Sequence, residues 1–384
     1  MNSEKETRQE RIDLQLGRAG WAVGSWQVSE ELLVETVSGI RELAKGFRKA
    51  NEFVDYALLD SIGRPLAIVE AKRSSRDPLE GERQAADYAD ALRTKHGTEP
   101  FVFLANGDEI WFWHRALYPP RKVSGFFTEE DLLRLAHLDK FGKPLTGAMP
   151  LEHIIDRAYQ IEAVKTISER IEAARRRFLL VLATGTGKTR VAVALVELLQ
   201  RKERIQRVLF LADRRELVKQ AIGAFKEHHP GAPRSWIEGG TIDKDAQVHL
   251  ATYPGMMSLY RRLSPGYYDL IIADESHRSI YNLYKAILDH FDAIQIGLTA
   301  TPTDFIDHNT FELFDCYGDS PTYYYGYDEA VRDKYLVPYR PVHVARTGFQ
   351  IEGLKPGELP ADVSQQGRDQ GGDPMTSLPD TSKP

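Results

Sequence analysis

Cysteine is nearly missing from this chain. One residue in 384, Cys316, excludes an internal disulfide and a cysteine-rich zinc module. Long apolar runs are missing as well. Runs such as Phe178–Ala183 and Leu270–Ala273 fall far short of the roughly 20 residues a membrane-spanning helix needs, so no membrane association is expected. The opening Met-Asn-Ser-Glu-Lys-Glu-Thr-Arg has no apolar core, which argues against a secretory signal and for a cytoplasmic location. A large charge excess is absent too. With a formal net charge of −6, nucleic-acid binding would have to rest on local basic patches rather than a global field. No internal repeat is found. What remains is ordinary globular composition, 42% apolar and 28% charged, enough to build proper cores. The length suits two or three domains.

Texture changes along the chain. Up to about residue 145, short β-rich runs alternate with charged helical stretches. Residues 151–345 repeat the order apolar strand, loop, helix, which predicts a parallel α/β sheet. Between them, Phe141–Pro150 holds two prolines and two glycines and reads as an interdomain linker. Residues 350–384 are rich in Pro, Gly, Asp, Ser and Gln and poor in large apolar side chains, so disorder is expected there.

Phe178–Ala183 is a buried-strand pattern running into Thr184, Gly185, Thr186, Gly187, Lys188 and Thr189, and a helix pattern follows at Arg190–Leu199. Glycines let backbone N–H groups converge on phosphate oxygens, and the helix N-terminus adds the positive end of its dipole. Lys188 is placed to reach the β- and γ-phosphates of ATP, and the Thr189 hydroxyl to bind Mg²⁺. The strict P-loop pattern has glycine where Leu182 stands. A glycine turn beside a surface lysine is the bland alternative. A second apolar run, Tyr268–Ala273, ends in Asp274 and Glu275. A carboxylate at the end of a central parallel strand can hold Mg²⁺ beside a P-loop, and the next can orient the attacking water. A helix N-cap would be the bland reading of Asp274.

Asp274-Glu275-Ser276-His277 resembles the Asp-Glu-x-His box of superfamily 2 helicases. Leu298–Pro302 resembles their motif III. Tyr159-Gln160 resembles the adenine-reading element that precedes the P-loop, while Arg207–Val218 and Ala251–Tyr253 resemble segments that contact the nucleic-acid backbone. The resemblance implies a RecA-like lobe.

In the N-terminal part, Phe53–Asp60, a turn at Ser61–Arg64, and Pro65–Lys72 read as a β-hairpin. Symmetric pairing about the turn sets Asp60 opposite Pro65, Leu58 opposite Ala67 and Asp55 opposite Glu70. Opposed residues share a face, and Lys72 shares it with Glu70 by the two-residue period. Two carboxylates and an ammonium then suit a Mg²⁺ site, with Lys72 orienting or activating water at a scissile phosphate. Asp60, on the other face, ranks below Asp55. Solvated surface charge is the bland reading of Glu-x-Lys. Leu79–Leu92 reads as a helix with Gln84 and Tyr88 on one face. The order Asp…Glu-x-Lys…Gln-x-x-x-Tyr resembles the nuclease core of the PD-(D/E)xK superfamily, in its RecB-like branch, which implies that Gln84 and Tyr88 brace the metal site and the DNA backbone. A second hairpin, Phe101–Ala105 and Glu109–Trp113, carries aromatics that suit core packing better than base stacking.

Together the two parts resemble the restriction and translocation subunit of type I restriction enzymes, from about Ile12 to about Arg340. The expected architecture is α/β. A PD-(D/E)xK nuclease domain (1–145) precedes one RecA-like lobe (151–345) and a disordered tail (350–384). The family implies ATP-driven translocation of double-stranded DNA, Mg²⁺-dependent cleavage, and partner methyltransferase and specificity subunits. It also implies a second lobe beginning near residue 345, where this sequence has its low-complexity stretch, so a truncated or frame-shifted product is expected. A stand-alone nuclease–helicase for defence or repair is the rival enzyme. A catalytically silent DNA- or partner-binding remnant is the rival outside that class.

Overall fold

A computed structural model of the chain describes residues 4–33, 53–274, 280–301, 308–316, 318 and 320–339. The expected disorder of 350–384 lies outside these residues, as do Pro302 and Arg340. Residues up to Leu336 form one compact unit. It contains two sheets.

The first sheet is six-stranded and follows chain order: β1 (Val28–Leu33), β2 (Phe53–Leu59), β3 (Pro65–Ala71), β4 (Phe101–Ala105), β5 (Ile110–Trp113) and β6 (Arg121–Val123). β3 and β4 pair in parallel, and the other neighbours are antiparallel. A parallel pair needs a crossover, which is supplied by a 3₁₀ turn (Pro78–Gly81) and helix α3 (Glu82–His96). Helices α1 (Glu4–Thr7) and α2 (Asp13–Arg18), joined by a π-helical turn (Arg8–Ile12), precede β1. Ile12, Leu16 and Trp21 pack with Tyr56, Leu58, Val69 and Phe103 on one face of the sheet. Ala85, Tyr88, Ala89 and Leu92 of α3 pack with Ile68, Val102 and Leu104 on the other. Phe101, Phe103 and Phe112 interlock with Phe126 and Phe127 at ring separations of 4.5–5.6 Å, so these aromatics are core.

The β2–β3 register pairs Tyr56 with Val69 and Leu58 with Ala67, which extends to Asp55 opposite Glu70. Near the turn the symmetric expectation fails. A bulge after Leu58 shifts the pairing, and Leu59 rather than Asp60 stands opposite Pro65. The cause is Asp60 itself. Its buried carboxylate accepts hydrogen bonds from the Ile62 and Arg64 backbone N–H groups at 3.1 and 2.8 Å and from Arg64 Nε at 2.9 Å. Burial would raise its pKa, but those donors hold it below the ordinary value. Asp60 organises the turn and leaves the paired face to Asp55.

The second sheet has seven parallel strands in the order β13-β7-β12-β11-β8-β10-β9. They are β7 (Arg177–Leu182), β8 (Val208–Ala212), β9 (Arg234–Trp236), β10 (Val248–Thr252), β11 (Leu270–Asp274), β12 (Ile294–Thr299) and β13 (Tyr323–Tyr325). Strands buried on both faces read as unbroken apolar runs. On β7, Phe178, Leu180 and Leu182 face helices α5 (Ala158–Glu172) and α6 (Lys188–Arg201), while Leu179 and Val181 pack with Tyr268 and Phe291. Val191–Leu199 of α6 are all buried, so α6 is a central helix. The fold is mixed α/β with a parallel sheet, as expected.

Helix α4 (Glu129–Phe141) joins the two sheets. Its buried Arg134 bonds Asp131 at 3.0 Å and Asp269, just before β11, at 3.1 Å. Asp269 also accepts the Gln206 and Arg207 backbone N–H groups, each at 2.8 Å. A second bridge holds Asp292, before β12, to Arg121 of β6 by two bonds of 2.6 Å and to Arg176 by one of 3.0 Å. The expected linker is irregular but docked. Leu145 is buried in the parallel-sheet core, and the Lys143 N–H bonds the Lys202 carbonyl at 2.8 Å.

Asp292→Ala would leave two guanidinium groups without their shared anion, and breaking a buried bridge this way costs about 3–5 kcal/mol. Burial alone would push the Asp292 carboxyl up, but Arg121 and Arg176 hold it at about 2 against an ordinary 3.8. Its contribution is therefore complete above about pH 4 and disappears as the pH falls toward 2. Urea unfolding at pH 7 and pH 3 tests both statements. The wild type should lose stability between the two, and the variant should be weaker at pH 7 and less sensitive to acid. Equal stability at pH 7 would refute the bridge.

Candidate functional site

The first candidate site lies between β2, β3 and α3. Glu70 on β3 and Lys72 just beyond it follow an apolar run and point to the α3 side, because the alternate residues Val69 and Ala71 pack into the opposite core. Glu70 is buried and paired with the Lys72 ammonium. Lys72 Nζ also donates to Gln84 Oε1 at 3.4 Å, and Gln84 Nε2 donates to the Tyr88 hydroxyl at 2.6 Å. Asp55 Oδ2 accepts the Ala71 backbone N–H at 2.7 Å. Burial pushes the Tyr88 phenol up, the Gln84 bond pulls it down, and the negative charges of Glu70 and Asp55 raise it further. Tyr88 therefore feels both carboxylates. The structure brings Asp55, Glu70, Lys72, Gln84 and Tyr88 together.

The donor set fits Mg²⁺. Carboxylate oxygens are hard ligands, and Mg²⁺ takes one or two of them while retaining water and phosphate oxygens. Among the described residues no group of three or more His, Cys, Asp or Glu side chains is placed to hold a metal ion.

Sequence reasoning missed two residues here. Arg8 donates to Asp55 Oδ1 at 3.1 Å from 47 positions away. Gly81 ends the 3₁₀ turn directly against the site: a Cβ there would lie 2.7 Å from Glu70 Cγ and 3.3 Å from Lys72 Cε. No local pattern marks either one, although a glycine just before a helix under an acidic strand end is a usable hint. Gly81→Ala should displace Glu70, because overfilling a packed site costs about 1–3 kcal/mol. The expected nuclease role then predicts a fall in DNA nicking of about ten- to a hundredfold. A wild-type nicking rate in a folded variant would show that the close approach has no consequence.

The second candidate site lies at the C-terminal edge of the parallel sheet, where such sheets bind ligands. The loop after β7 carries Thr184, Gly185, Thr186 and Gly187, and α6 begins at Lys188 and Thr189. Gly185 and Gly187 both have φ of 85°, a conformation that favours glycine. Thr184 and Gly185 are exposed, Lys188 and Thr189 partly so, and Thr186 is buried. Asp274 ends β11, one strand away from β7, and is buried. Its carbonyl accepts the Tyr253 hydroxyl at 3.3 Å. An exposed loop running into a helix N-terminus fits a phosphate chain, and Thr189 and Asp274 carry the oxygen donors a Mg²⁺ would take.

Tyr159 and Gln160 lie beneath this loop, both buried, and donate to the Thr186 carbonyl at 2.7 and 2.8 Å. A Cβ on Gly187 would meet Gln160 Nε2 at 2.7 Å. Tyr159 stacks on Tyr325 of β13 at 4.0 Å with an interplanar angle of 7°. Sequence reasoning missed Tyr325, for which the Tyr323–Tyr325 run was the signal. Glu275, with Ser276 and His277, lies outside the described residues.

One expected nucleic-acid segment divides. Arg214 and Arg215 follow β8 at the ligand edge and are exposed. Arg207 precedes β8 at the opposite edge, where it pairs with Glu130 and lies 4.4 Å over the Tyr267 ring. Arg207 belongs to the junction between the sheets.

Comparison with known proteins covers both sites. The sequence model of the family described as "Type III restriction enzyme, res subunit" matches residues 153–304. The chain is 31% identical over 370 residues to the type I restriction enzyme EcoAI endonuclease subunit of Escherichia coli, covering 90% of this chain and 44% of that one. To the EcoKI endonuclease subunit of Escherichia coli K12 it is 28% identical, covering 96% and 38%. A solved fragment described as an HsdR subunit of a type I restriction enzyme from Vibrio vulnificus YJ016 is 28% identical, with a TM-score of 0.37, over 84% of this chain and 59% of that one. The chain thus spans less than half the length of the two Escherichia coli relatives.

Proposed function

We propose that this chain, which is similar to the endonuclease subunits of type I restriction enzymes, carries two active centres of such an enzyme: a Mg²⁺-dependent DNA nuclease site on the first sheet and an ATP site on the second. The observation that carries the reading is the convergence of Asp55, Glu70, Lys72, Gln84 and Tyr88 beside one strand pair.

At the nuclease site, Asp55 and Glu70 would hold Mg²⁺, whose chemistry when bound is to polarise a phosphate oxygen. Lys72, one residue beyond the strand end and bonded to Glu70 and Gln84, orients or activates the attacking water. Gln84 and Tyr88 keep the ammonium in place and face the DNA backbone. At the ATP site, Thr184–Gly187 cradle the phosphates with backbone N–H groups and Lys188 neutralises the β- and γ-phosphates. Thr189 and Asp274 would hold Mg²⁺, Glu275 orients the attacking water, and Tyr159 with Gln160 braces the loop and reads the adenine.

The substrates in this reading are double-stranded DNA and ATP. The partners are the methyltransferase and specificity subunits of a type I restriction complex, and the setting is the cytoplasm. No described helix is long and apolar enough to cross a membrane. The test is nicking of supercoiled plasmid by the chain with Mg²⁺ and with chelator. Metal-dependent nicking supports the reading, and its absence under all conditions favours a silent DNA- or partner-binding role. Retention of methyltransferase and specificity subunits on the tagged chain separates a restriction complex from a stand-alone nuclease–helicase.

A further inference from the structure

Arg8 has an unusual position for a residue on an N-terminal helix. The π-helical turn Arg8–Ile12 interrupts the α-helical hydrogen bonding at this point, a local distortion often found at functional sites. The Arg8 side chain is only 13% exposed. Its guanidinium lies 4.9 Å over the Tyr56 ring and reaches Asp55 at Oδ1 and at the backbone carbonyl, at 3.1 and 3.3 Å. Two other carboxylates stand within reach on β1, Glu31 at 3.6 Å and Glu30 at 4.0 Å.

Asp55 does not depend on Arg8 for its orientation, because the Ala71 backbone N–H holds the other carboxylate oxygen at 2.7 Å. What Arg8 adds is charge. With Lys72 it offsets the two negative charges of Asp55 and Glu70, while Glu30 and Glu31 supply further negative charge on the far side of Arg8. A divalent cation held by Asp55 would have a guanidinium as its neighbour and be repelled by it.

Resting on the reading that Asp55 and Glu70 bind a divalent metal, we propose that Arg8 is the resident counter-ion of the nuclease site. It occupies Asp55 when metal is absent and turns to Glu30 and Glu31 when metal binds. It thereby raises the metal concentration the site requires. A DNA phosphate brings negative charge that offsets the repulsion, so metal loads together with the substrate. Arg8 is in this sense a positioning residue acting through Asp55.

The experiment is a calorimetric titration of the nucleotide-free chain with Mn²⁺, without DNA, so that the readout is binding and not cleavage. Arg8→Ala should bind Mn²⁺ about tenfold more tightly than the wild type, the order expected for one partly screened charge nearby. Arg8→Lys should restore the wild-type affinity. Glu30→Gln combined with Glu31→Gln should weaken Mn²⁺ binding when Arg8 is present and weaken it distinctly less in the Arg8→Ala background. A purely structural role predicts weaker binding on loss of Arg8, so unchanged or weaker Mn²⁺ binding by Arg8→Ala overturns the proposal. The double glutamine variant tests it independently should Arg8→Ala not fold, and unaltered Mn²⁺ binding there overturns it as well. Asp55→Asn separates the two readings. Mn²⁺ binding that ignores Asp55→Asn removes the metal site itself, whereas binding that needs Asp55 but ignores Arg8 removes only the counter-ion role.

Discussion

Asp55→Ala should lower DNA cleavage by roughly 10³-fold or more, since each of the two carboxylates of the proposed metal site supplies several kcal/mol of the transition-state stabilisation. Glu70→Ala should do the same. ATP affinity should stay within about twofold in both variants, because effects at separate, non-contacting sites are nearly independent. The two sites are built on different sheets. Plasmid nicking and nucleotide titration on the same preparations provide the check. Full cleavage by Asp55→Ala would leave no ready substitute. Asp60, the other acid of the hairpin, is committed to the Ile62 and Arg64 turn donors, so the nuclease assignment itself would fail.

Lys188→Ala should weaken ATP binding on the order of 10²-fold, because hydrogen bonds to charged groups contribute about 1.5–3 kcal/mol each. Lys188 opens helix α6 directly after the left-handed Gly187, so its ammonium and the positive helix end act on the same phosphates. A second readout is thermal. A ligand that binds only the folded state raises the melting temperature by mass action, so MgATP should stabilise the wild type and not the variant. Equal stabilisation of both would overturn the P-loop assignment. The variant should still nick DNA in the absence of ATP as well as the wild type does under the same conditions.

The two sites differ in how they could be read. The proposed P-loop is one contiguous run: strand, glycines, lysine, helix. Its chemistry and its local conformation come from the same few residues, and Gly185 and Gly187 adopt the backbone that only that composition favours. The face proposed as the nuclease site was legible one level up. A hairpin transmits register through its turn, so counting outward from the turn placed Asp55 opposite Glu70 even though a bulge moved Asp60 out of step. Gln84 and Tyr88 followed from helical periodicity. Their meeting with Lys72 required the crossover to lay α3 over β3, where Ala85 and Tyr88 pack with Ile68.

Composition and local pattern by themselves determined the α/β class, the hairpin pairing and the residue types offered at each strand end, because these depend on interactions a few residues apart. Only the tertiary structure decided which distant groups meet. Arg8 reaches Asp55 across 47 positions, Arg134 reaches Asp269 across 135, and Arg121 reaches Asp292 across 171. An arginine in sequence looks the same whether it will face solvent, DNA or a buried carboxylate. Arg207 and Arg214 show this within one motif, since a five-residue strand carries them to opposite edges of the sheet. The physical reason is range. Periodicity and turn chemistry act along the chain, whereas the pairing of charges across packed elements is set by how two sheets and their helices exclude water from the space between them.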